Sequence, residues 1–185
     1  MVNGAVERLD SPHQAAAQEL DHLVRAELWL ETHHVTGIID QSGRPRRLVD
    51  TLNAIDGPFV MVRDATVESL ANPDEGERRF HLLHLKREAI LLAIPLTNLP
   101  RSPDAEVLAK KSVSATLMLP GLEVTGHVYL PPEVDPTTVR MLGKDSFLPV
   151  TDAQVTQITH AGGSQREPLV VVNLGRALLY APTPQ

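Results

Sequence analysis

The chain has no cysteine among its 185 residues, only 3% aromatic residues, and no apolar run longer than Ala89 to Leu96. The first absence excludes disulfides, thiolate nucleophiles and Cys-based zinc sites, and fits a reducing compartment. The second leaves few rings on which nucleic-acid bases could stack. The third falls far short of the ~20 residues a membrane helix needs. The opening Met-Val-Asn-Gly-Ala-Val-Glu-Arg shows no basic stretch followed by a long apolar one. A soluble, cytoplasmic protein without a membrane partner is therefore expected.

Positive charge is also in short supply. The net charge is −6, whereas a surface built to track phosphates draws its affinity from clustered Lys and Arg. Catalytic signatures are missing as well. There is no Gly-x-Ser-x-Gly elbow, no phosphate loop and no dinucleotide fingerprint, and Ala161-Gly-Gly-Ser164 reads as a hairpin tip. No cofactor and no catalytic residue are expected. His33-His34 and His81-x-x-His84 do not suit a metal, because residues one or three apart on a strand point to opposite faces.

What the chain does contain is a repeat. Ala26 to Gly37 is echoed by Ala115 to Gly126, Phe59 to Val67 by Phe147 to Val155, and Glu88 to Ala93 by Arg176 to Ala181, in one order and at offsets of 88 or 89. One folding unit is used twice. Each unit is near the size where a single core is only marginally stable, so the two are expected to pack on each other, on further copies, or both.

Local patterns give the organisation. Ser11-Pro12-His13-Gln14 is a capping box, and Ala16, Leu20, Leu23 and Val24 form an apolar stripe, which predicts a helix within an N-terminal segment of residues 1–25. A first β unit occupies 26–96, with strands around Leu28 and Val35 to Ile39, at Phe59 to Val67, and between Phe80 and Pro95. Leu48, Val49 and Leu52 are at helical spacing and predict a short helix or a single turn on the rim over Arg46 to Asn53. Residues 97–111 are a proline-marked linker with a short helix after Ser102-Pro103. The second unit, 112–185, repeats the strands, with a rim segment near Thr137 to Leu142.

The fold class predicted is mainly β with short helices: two tandem small antiparallel barrels related by duplication, each preceded by a short helix. The order resembles the Sm-like and SH3-like barrels. The resemblance rests on a leading helix, a strand reaching Gly37 or Gly126, the segments Asp56 to Phe59 and Asp145 to Phe147, and closing strands with Lys86-Arg87 and Arg176. Arg47-Leu-Val-Asp-Thr-Leu-Asn53 also resembles the Arg-Leu-x-Asp-x-Leu-Asn signature of an uncharacterised bacterial family. Thr138 to Gly143 has lost its Asp and Asn. Strands could close within each unit or exchange between units.

Two groups of residues stand out as candidate binding sites for protein or nucleic acid. Arg47, Asp50 and Asn53 lie on the rim, where their polarity is not needed to bury Leu48 and Leu52. Lys86, Arg87 and Arg176 lie at matched closing strands, near the segment that the Sm resemblance implies contacts RNA. Asp64 and Asp152, each before Ala, are matched acids that read as bend residues. The function expected is a non-enzymatic interaction or scaffolding module, a homo-oligomer or the binder of a protein partner. The rival reading is Sm-like binding of RNA or single-stranded nucleic acid.

Overall fold

The computed structural model describes residues 24–39, 47–97, 110–136, 147–158 and 163–183. The helix expected after Ser11, the turn near Gln41, most of the linker helix and the second rim segment lie outside them. Val24, assigned from its spacing to the helical stripe, opens a strand instead.

The first unit contains β1 (Val24–Trp29), β2 (His33–Ile39), α1 (Leu48–Ala54), β3 (Phe59–Ser69), β4 (Arg78–Lys86) and β5 (Leu92–Pro95). The second contains β6 (Lys111–Leu119), β7 (Leu122–Leu130), β8 (Phe147–Gln157), β9 (Ser164–Asn173) and β10 (Leu179–Thr183). Helix α1 falls where the spacing of its buried Leu48, Val49 and Leu52 predicts.

Pairing corrects the expectation of two closed barrels. All ten strands belong to one antiparallel sheet, ordered β10-β6-β7-β8-β9-β5-β1-β2-β3-β4. Each unit contributes the same internal order, with its last strand beside its first. The units join where β5 meets β9, Leu92 opposite Val172 and Ala93 opposite Val171. Among the described residues, β4 and β10 are the edges of the sheet.

The cores interlock across that junction. Trp29, Leu91, Leu92 and Ile94 of the first unit pack in the core of the second, with Val113, Leu117, Val170 and Val172. Phe147 and Val171 of the second pack in the core of the first, with Val24, Leu28, Leu52 and Val60. Successive residues of β5 and β9 thus enter different cores. This explains why β5 and the end of β9, Val170 to Val172, read as unbroken apolar runs rather than alternating ones.

A matched device bends the sheet in each unit. Asp64 and Asp152 adopt left-handed backbone conformations, with φ of 46° and 48°, and they coincide with register shifts against β2 and β7. Opposite them stand Gly37 and Gly126. A Cβ on Gly37 would lie 2.4 Å from a Val62 methyl, and one on Gly126 would lie 2.7 Å from the Thr151 carbonyl oxygen. The repeat retains the Gly and Asp because a bulge brings two backbones too close for a side chain and forces one residue into positive φ. Asp tolerates that conformation better than most residues do.

Candidate functional site

The junction between units carries most of the specific polar chemistry. The Asn53 amide nitrogen donates to the Phe147 carbonyl at 2.9 Å, and its oxygen accepts from the Phe147 N–H at 3.0 Å. Asn173 is 4% exposed; its amide donates to the Ile90 carbonyl at 2.8 Å and accepts from the Gly175 N–H at 3.0 Å. The Asn173 N–H also donates to the Leu91 carbonyl at 2.9 Å, extending the β5–β9 ladder by a residue.

Above this ladder is a cleft of about 350 Å³ lined by Pro58, Arg87, Phe147, Asn173 and Arg176 among others. It brings together two of the cationic residues expected on closing strands, which lie instead in single 3-10 turns, Arg87 between β4 and β5 and Arg176 between β9 and β10. Both are engaged within the molecule. Arg87 lies 5.3 Å from the Phe147 ring centroid and donates from Nε to the Leu52 carbonyl at 3.0 Å. Arg176 pairs with Glu31 across the junction. Lys86 pairs with Glu88, and this contact holds the Glu88 carboxyl below the usual carboxylate range.

The rim residues separate. Arg47 and Asp50 form a bidentate ion pair within α1, at 2.8 and 3.0 Å, which raises the Arg47 pKa. Both are exposed enough for solvent to screen the pair. Asn53, the third, is a tie between the units.

Asp64 and Asp152 do not converge. Asp152 lines an open cleft of about 590 Å³ with Gln154, Arg166 and Glu167, while Asp64 lines another of about 460 Å³ with Arg79 and His81. A shared two-carboxylate site between the repeats therefore has no geometric basis. Among the histidines, His34 stands 3.3 Å from Glu27 and 3.7 Å from Glu68, and stacks at a tilt near Trp29. His81 stands 3.3 Å from Asp64.

The open edges are the other notable surface. Phe59, Met61, Phe80 and Leu82 on β3 and β4 are 41–51% exposed, while at the far edge Leu178 and Leu179 are 73% and 45% exposed. The residue pattern did not single these out. For Phe59, Leu178 and Leu179 the signal was present in the repeat, as apolar residues matched to the buried Phe147, Leu91 and Leu92, whereas Phe80 matches Glu167.

No family model matches the chain, and no similar curated protein or solved structure was found. Fold and junction together define a tandem-repeat β protein whose units share interlocked cores and one sheet.

Proposed function

We propose that this protein is a non-enzymatic scaffolding module that self-associates through its sheet edges. The observation that carries the reading is apolar exposure concentrated at both ends of one open sheet, on Phe80 and Leu82 at β4 and on Leu178 and Leu179 at β10. Exposed apolar edge strands are templates for pairing with another chain. We read each unit as a small bent sheet of the Sm-like or SH3-like type and place the protein in the cytoplasm. The repeated strand order and the matched Gly and Asp bends support that reading of the units.

The nucleic-acid alternative draws on Arg87 and Arg176 lining one cleft. It is the weaker reading, because both guanidinium groups already have internal partners. Light scattering after size-exclusion chromatography, at low and high salt with absorbance at 260 and 280 nm, tests the choice. A salt-resistant oligomer free of nucleic acid is expected. Co-purifying nucleic acid released by salt would shift the assignment to the alternative.

A further inference from the structure

The junction inside the chain is a template for one outside it. Strand pairing fixes which residues correspond. Phe59 faces Lys86 and Phe147 faces Asn173, so Leu83 to Lys86 match Val170 to Asn173. Leu28 faces Ala93 and its repeat counterpart Leu117 faces Tyr180, so Leu91 to Ala93 match Leu178 to Tyr180, one residue out of the sequence match, which set Ala93 against Ala181. The outer edges of the sheet, β4 and β10, are therefore counterparts of β9 and β5, the strands already joined at its centre.

Exposure tells the two settings apart. Phe147 is 2% exposed and its counterpart Phe59 51%. Leu91 is 0% exposed and Leu178 73%; Leu92 is 0% and Leu179 45%. Val171 is buried and its counterpart His84 is exposed. Among the described residues, Phe59, His84, Leu178 and Leu179 are uncovered where their counterparts are covered by the neighbouring unit, whereas Leu85, the counterpart of Val172, is buried in its own unit's core.

We infer that β10 of one copy pairs antiparallel with β4 of a second copy, head to tail, in the register of β5 with β9. Leu178 then faces Lys86, Leu179 faces Leu85 and Tyr180 faces His84. This rests on the self-association reading and names its geometry. Charge favours it over the symmetric alternative. Strand β4 carries Arg78, Arg79 and Lys86 and no carboxylate, so two β4 strands would oppose like charges, whereas β10 is uncharged. Pro182 matches Pro95, so the two strands lack a backbone donor at the same position.

Three stays of the internal junction have no counterpart outside. Glu31 and Arg176 correspond to Pro120 and Ala89, Asn173 corresponds to Lys86, and the run Thr138 to Gly143 that matches Arg47 to Asn53 contains no asparagine. The external junction is therefore the weaker one, and its association depends on concentration. A head-to-tail contact adds units in one direction and ends in a ring or an open fibre according to its rotation.

The absence of native cysteine allows a direct test with Leu178→Cys and Lys86→Cys, prepared separately, both at exposed positions. Directly opposed strand residues lie within disulfide reach. Mixing the two under mild oxidation is expected to give a cross-linked species of twice the chain mass, and each alone to give none. His84→Cys mixed with Tyr180→Cys is a second pair in the same register, and circular dichroism checks that every variant is folded. Sedimentation of the unmodified protein is run in parallel. Self-association without cross-linking of either mixed pair, or cross-linking of any single variant alone, overturns the head-to-tail junction and leaves self-association standing. A monomer at every concentration overturns both.

Discussion

Asn53 treats Phe147 as a neighbouring strand would, donating to its carbonyl at 2.9 Å and accepting from its N–H at 3.0 Å across 94 positions of sequence. A side-chain amide here takes the place of a backbone ladder and ties the rim helix of one unit to the start of β8 in the other. Asn53→Ala removes both bonds and leaves the Phe147 backbone groups without those partners. A loss of about 2–3 kcal/mol in urea unfolding is expected. Asn53→Asp keeps the acceptor alone and should fall between alanine and wild type; an alanine variant as stable as wild type would show that the tie is dispensable.

Gly37→Ala and Gly126→Ala each place a methyl group against backbone and a valine side chain. Each is expected to cost about 1–3 kcal/mol by overpacking, despite the small gain from a stiffer unfolded chain. Thermal melting checks this, and a rise in Tm for either variant would contradict the close approach.

At the facing bulge residues the backbone sets the order of effects. Asp152→Gly should be close to neutral, whereas Asp152→Val forces a β-branched residue to positive φ and should cost about 1–2 kcal/mol. Equal stability of the two variants would remove the left-handed conformation as the reason the Asp is repeated.

Burial raises the Tyr180 pKa, and its hydroxyl is buried without a hydrogen-bond partner among the described residues. The folded state keeps the phenol neutral at pH values where the unfolded chain ionises it. That contribution is complete below the unfolded pKa of about 10 and is lost as pH rises through the folded value. Tyr180→Phe should therefore be no less stable than wild type at pH 8 and gain on it by pH 11. Urea midpoints at the two pH values measure the gain, and a constant difference would argue against it.

The repeat made the strand content, the short helix at Leu48 and the paired bends at Asp64 and Asp152 legible in the residues alone. Closure was not legible, because a small sheet that curls on itself and one that passes its last strand to a neighbour use the same alternating faces. The distinguishing signal was the loss of alternation in Leu91 to Ile94 and Val170 to Val172, which marks strands with a core on both sides. Arg87 and Arg176 meet because each sits in a short turn that follows a strand, β4 or β9, and not because the repeat pairs them. Asn53 stood out for its polarity, but its partner is a backbone 94 positions away, and no local pattern points to it.

The β5–β9 pairing also orders events during synthesis. Leu92 must wait for Val172, 80 positions later, before its outer edge is covered. At ~5–20 residues per second that is an interval on the order of 4–16 s in which a finished first unit presents an apolar strand on the ribosome. In a polysome the nearest matching strand then belongs to another nascent chain. The long-range junction that gives the mature molecule its interlocked cores is thus also the step at which chains are most open to pairing with the wrong neighbour.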